Sequence, residues 1–218
     1  VKYVVYAGGI LLLTLGIALT IQSSLGASPF DALLVGLSLN VGLSVGSWEM
    51  ILASVLICVN ALLSKQKPEV LGLLTAFITG LGIDVWLFLL ESWAPFEIWY
   101  SKLCCFGIGL IIIGVGTSAY LHTNFAPIPI DRLTLIIQKL VKTNLFLVRT
   151  LIYFTFLLAA MILNGPIGVG TLLTVFLGGV LLNFFMPITK RALDCILTNS
   201  RISQNHTKDH KRSITQLK

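Results

Sequence analysis

Asp31 and Asp131 stand one hundred residues apart, and each follows a proline by two positions, in Ser28-Pro29-Phe30-Asp31 and Ile128-Pro129-Ile130-Asp131. Two chemistries suit carboxylates placed this way. Each can cap the free backbone N–H groups of a helix that its proline begins, complementing the helix dipole. Alternatively, two acidic groups in an apolar chain can bind a cation or relay protons. Asp84 is a third candidate, read either as a binding group or as a partner in an interhelical or outer-interface hydrogen bond. Further polar residues fall at corresponding places: Gln22, Ser23 and Ser24 align with His122, Thr123 and Asn124, and Asp84 aligns with Asn183. His122 suits an interfacial position better than a ligand role. The candidate substrate- or ion-binding set is therefore Asp31, Asp131, Asp84, Asn183, Gln22, His122 and Asn124, with Ser28, Pro29 and Pro129 as helix-capping residues.

Other chemistries lack their residues. The sequence holds no GxSxG, HExxH or Walker loop, and no nucleophile with a base beside it, so an enzyme is not expected. No cofactor motif occurs. Cys58, Cys104, Cys105 and Cys195 form no CxxC pair, and the first three read as small buried hydrophobes. His206 and His210 lack a third ligand, so no metal site is expected.

The elements that position these residues must lie in a membrane. Of 218 residues, 56% are hydrophobic and 11% charged, against roughly a quarter charged in a soluble domain. Mean hydropathy is +0.93. Tyr3–Phe30, Leu103–Ile130 and Thr150–Thr189 carry no Asp, Glu, Lys or Arg, and each exceeds the roughly 20 residues of a spanning helix. The runs are continuous rather than alternating, which excludes an outer-membrane barrel. Six spans are expected, at about 3–22, 46–64, 70–90, 103–123, 146–163 and 169–188. Two short helices, 29–40 and 129–141, follow the first and fourth. Ser28 suits the N-cap of the first, an apolar segment too short to cross and able to re-enter from outside. The second has Ile128 at the cap position and sets Leu133, Ile136, Ile137 and Leu140 opposite Arg132, Lys139 and Lys142. It reads as an amphipathic helix at the inner interface, with the outer copy inserting deeper. Making both short segments full crossings would bring Arg132, Lys139 and Lys142 into hydrocarbon, at roughly 2.5–3.5 kcal/mol per central charge.

The chain is internally repeated. At an offset of 100, Gly16, Pro29, Asp31 and Leu33 match Gly116, Pro129, Asp131 and Leu133. At 99, Leu73-Leu74-Thr75-Ala76-Phe77 lies over Leu172-Leu173-Thr174-Val175-Phe176. Residues 1–90 and 103–188 form the two halves, and 190–218 a tail with seven basic and two acidic residues. Because the first span has a mid-chain counterpart, it is expected to be permanent rather than a signal peptide. With both termini in the cytoplasm, every Lys and Arg except Lys102 falls on the inner side, as the positive-inside rule asks. Trp48, Trp86, Trp93 and Trp99 then lie near outer ends of spans. Three spans per half means opposite orientations, an inverted repeat of the kind common in secondary transporters. The expected fold class is an all-α membrane bundle of six transmembrane helices in two inverted three-helix repeats.

The run Gly16…Leu25-Gly26-Ala27-Ser28-Pro29-Phe30-Asp31-Ala32-Leu33…Gly36-Leu37-Ser38, then Val45-Gly46-Ser47 and Gly165-Pro166…Gly168-Val169-Gly170-Thr171, resembles the YczE-like bacterial membrane proteins grouped with the YitT and YyaS families. The resemblance covers about the first 190 residues and leaves out the basic tail. It implies a multi-pass protein of the bacterial inner membrane, and brings no activity or catalytic residues with it.

Two functions fit. The first is a small-molecule permease whose partners are the lipid bilayer and a small-molecule or ion ligand. The second is a non-transporting membrane scaffold, assembly factor or sensor, or the substrate-binding subunit of a multi-component transporter. A homodimer or a second membrane subunit is compatible with either. The tail charge reads as a cytoplasmic marker, and no nucleic-acid motif accompanies it.

Overall fold

The computed structural model describes residues 2–91, 98–123, 125–182 and 184–191. Asn124, Asn183, Trp93, Cys195 and the basic tail beyond Arg191 lie outside these residues.

Eight helices make up the described chain. They are α1 (Lys2–Gln22), α2 (Pro29–Val41), α3 (Val45–Ser64), α4 (Val70–Glu91), α5 (Trp99–His122), α6 (Pro129–Val141), α7 (Leu145–Ile162) and α8 (Val169–Arg191). The expected bounds hold to within one residue at most ends. Two ends move further: α5 begins at Trp99 and α8 runs to Arg191. Five helices, α1, α3, α4, α5 and α8, are long and apolar enough to cross a membrane. The helix over the expected fifth span, α7, has 18 residues, at the lower edge of crossing length.

The surface is that of a molecule solvated by lipid. Leu11, Ile51, Val55, Phe77, Phe88, Ile111, Phe154 and Phe176 are exposed, while Thr14, Thr20, Ser23, Thr75, Thr79, Ser118, Thr171 and Thr174 are buried. In hydrocarbon, helices gain from close approach and interhelical hydrogen bonds rather than from hiding apolar area. The cysteines follow this logic against expectation. Cys105 is buried, but Cys58 and Cys104 are exposed, because an apolar side chain has no need to leave a lipid-facing surface.

Glycines set the central packing. A Cβ on Gly16 would stand 2.7 Å from the Gly109 carbonyl, and one on Gly116 would stand 2.8 Å from the Gly9 carbonyl. Gly9 therefore faces Gly116 and Gly16 faces Gly109, so α1 and α5 run antiparallel at backbone contact. Two further pairings are reciprocal, α2 on α7 and α3 on α6, while α4 packs on both α1 and α3. The connecting loops reach across as well. Ala27 N donates to the Pro166 carbonyl at 3.2 Å and Gly170 N to the Leu25 carbonyl at 2.8 Å. In the other direction, Asn60 Nδ2 donates to the Pro129 carbonyl at 2.9 Å. Gly26 turns the first loop at φ +111°, and a Cβ there would stand 2.6 Å from Thr171 Oγ1, so both conformation and space require glycine.

The short helices differ in how much of each is buried within the protein. In α2 every residue from Pro29 to Leu34 is buried, whereas α6 buries one face, Pro129, Ile130, Leu133, Thr134 and Ile136. Its first turn packs into the protein interior. Leu140, expected on the apolar face, is exposed. Arg132 keeps its own side of α6 outward, in an ion pair with Glu69 at 2.6 Å.

Candidate functional site

The helix starts at Pro29 and Pro129 deliver Asp31 and Asp131 to one place. Ser28 is the N-cap of α2: its Oγ accepts from Asp31 N at 3.2 Å and donates to Asp31 Oδ2 at 2.5 Å. Ile128 gives α6 no side-chain cap. Asp131 instead takes a hydrogen bond from the Tyr120 hydroxyl of α5 at 2.6 Å.

Both carboxylates line a cavity of about 150 Å³ to which all eight helices contribute. Its lining is paired across the repeat offset: Leu13 with Ile113, Ile17 with Thr117, Phe30 with Ile130, Asp31 with Asp131, Glu49 with Arg149, and Thr79 with Gly178. Tyr120, Tyr153 and Thr174 complete the polar part of the wall.

Glu49 and Arg149 are the groups that sequence reasoning missed. Glu49 is 3% exposed, on the first turns of α3, and finds no hydrogen-bond or ion-pair partner among the described residues beyond its electrostatic interaction with Asp31. Arg149, one of the basic residues expected on the inner side, lies one turn into α7 and lines the cavity. Its Nη2 donates to Tyr153 Oη at 3.0 Å, and its guanidinium sits 5.2 Å from the centre of that ring. No carboxylate lies within 4.0 Å of it among the described residues. One signal was available: these are the charged residues of their segments, and they occupy the same repeat position with opposite sign.

The other candidates lie elsewhere. Asp84 accepts from Ser44 Oγ at 2.6 Å and from Gly46 N at 2.8 Å, so it ties α4 to the start of α3. That is the interhelical hydrogen-bond reading of this residue. Gln22 and His122 are half-buried at the ends of α1 and α5 and do not line the cavity. Asn124 and Asn183 fall outside the described residues. No group of three metal-ligating side chains occurs among the described residues.

Residues 1–187 match a family described as a family of unknown function, DUF6198. The chain belongs to this family. Among relatives of this DUF6198 member, YyaS of Bacillus subtilis (strain 168) is 59% identical over 190 residues, covering 87% of this chain and 94% of the relative. The membrane protein YczE of the same organism is 32% identical over 187 residues, covering 85% and 86%. A Haemophilus influenzae protein is 27% identical over 183 residues, covering 83% and 81%. The YczE-like resemblance read from the residues is thereby established, and with the apolar helices it makes this DUF6198 protein a helical membrane protein. No solved structure matches the chain.

Proposed function

We propose that this chain is a small-molecule permease of the bacterial plasma membrane, built from six spans in two inverted three-helix halves, with both termini in the cytoplasm. The carrying observation is that Asp31 and Asp131, at matching repeat positions, line one cavity with the first turns of both short helices. The paired lining supports this reading, as do the antiparallel approach of α1 to α5 and the reciprocal packing of α2 on α7 and α3 on α6. Broken or short helices whose N-termini meet at a site between two inverted halves are the architecture of secondary transporters. Within this reading α7 crosses as the fifth of the six spans, and the cavity binds and releases its ligand without chemical change.

The test is flux. Proteoliposomes carrying the protein should exchange at least one labelled compound from a panel of amino acids, nucleosides, vitamins and ions. Asp131→Asn, checked for folding by gel filtration, should slow that exchange at least tenfold. If no compound crosses faster than in empty liposomes, the permease reading falls and the scaffold reading replaces it.

A further inference from the structure

The polar groups of the cavity divide into those already satisfied and those left open. Asp31 holds Ser28, and Asp131 holds the Tyr120 hydroxyl. Glu49 and Arg149 remain. A buried group able to ionise costs free energy until it is paired or neutralised. Here an acid and a base line one half-open cavity, Glu49 with no hydrogen-bond partner among the described residues and Arg149 bonded to Tyr153 and in electrostatic interaction with Asp131. They do not pair with each other: no ion pair between them lies within 4.0 Å.

From this we infer that the cavity binds a small zwitterion of the amino-acid class, its ammonium group on Glu49 and its carboxylate on Arg149. A lone cation would leave the guanidinium without a carboxylate in contact, and a lone anion would leave the Glu49 carboxyl without a hydrogen-bond partner. A molecule with both charges serves both. Arg149 keeps free N–H donors after its bond to Tyr153 and can grip a carboxylate through two parallel bonds. The size agrees, because a cavity of about 150 Å³ is of the order that takes up a benzene-sized guest. That admits a short aliphatic amino acid. Leu13, Ile17 and Ile113 supply an apolar wall for its carbon atoms. The two charged positions are repeat-equivalent, so the pseudo-symmetry that shapes the cavity is broken by charge at the one pair that would orient a bipolar guest.

This inference rests on the permease reading for its site, and its test separates the two. Full-length protein in detergent is titrated by calorimetry with glycine, L-alanine, L-serine, L-proline, β-alanine and γ-aminobutyrate. Ethylamine and propionate, each carrying one of the charges, are titrated alongside. At least one zwitterion should bind, with both single-charge analogues weaker by tenfold or more. Glu49→Gln and Arg149→Gln should each weaken it by about 10- to 100-fold. The exchange Glu49→Arg with Arg149→Glu should restore binding, since one charge of each sign again faces the cavity. If a single variant fails to fold, the analogue series on wild type and the exchange variant still decide. Ethylamine binding as tightly as alanine would replace the zwitterion with a cation and leave the permease reading intact. If no zwitterion binds, the inference falls, and the flux panel alone then judges the permease reading.

Discussion

The Tyr120 hydroxyl donates to Asp131 Oδ2 at 2.6 Å, joining the last turn of α5 to the first turn of α6. Tyr120 is 2% exposed, so water cannot readily take its place. Asp31, at the matching position, is held from within its own helix start by Ser28. The two halves thus secure equivalent carboxylates by different means, one local and one long-range.

Tyr120→Phe removes that donor without changing the shape of the ring. A hydrogen bond to a charged group is worth about 1.5–3 kcal/mol, and the variant should lose stability of that order in an SDS-titrated unfolding measurement. A loss below about 0.5 kcal/mol would mean that Asp131 finds another donor, and α6 would not depend on α5 for its position.

Gly16→Ala places a methyl group 2.7 Å from the Gly109 carbonyl. The Ile113 backbone nitrogen stands at 2.8 Å as well, so the helices must separate, at about 1–3 kcal/mol for the overpacking. Gly8→Ala on the same helix meets nothing within 4 Å and should be neutral or slightly stabilising in the same melt. Equal effects from the two would refute the backbone-contact packing of α1 on α5.

Asp84→Ala should act on stability alone. It removes the acceptor for Ser44 Oγ and Gly46 N, a loss comparable to a helix cap at about 0.5–2 kcal/mol. Because Asp84 does not line the cavity, ligand affinity should stay within twofold of wild type in calorimetry. A tenfold loss of affinity would return Asp84 to the binding site.

Membrane-impermeant thiol labelling checks the orientation. In a cysteine-free background, Leu43→Cys on the exposed turn before α3 should label in intact cells. Gln66→Cys, on the exposed turn after it, should label only after the cells are opened. The reverse pattern would invert the topology.

Much of the fold was legible because hydrocarbon leaves the chain few options. A backbone in a bilayer must satisfy its own hydrogen bonds, so long uncharged runs become helices and charges mark their ends. That logic placed α1, α3 and α4 to within a residue and the two short helices at their prolines. It could also place Asp31 and Asp131 at equivalent helix starts. It misjudged Cys58 and Cys104, because hydropathy is blind to whether an apolar residue faces lipid or protein.

By itself, then, the sequence determined which segments are helical, where all but α5 begin, and which residues recur at a fixed offset. Only the tertiary structure decided which of those residues meet. Glu49 and Arg149 converge on one cavity through the packing of α3 on α4 and α6 and of α7 on α2 and α6. Asp84 was equally prominent in the sequence but is turned to Ser44 and Gly46 instead. The rotation of a helix about its axis depends on contacts between residues far apart in the chain, and hydropathy and charge, read segment by segment, do not contain it.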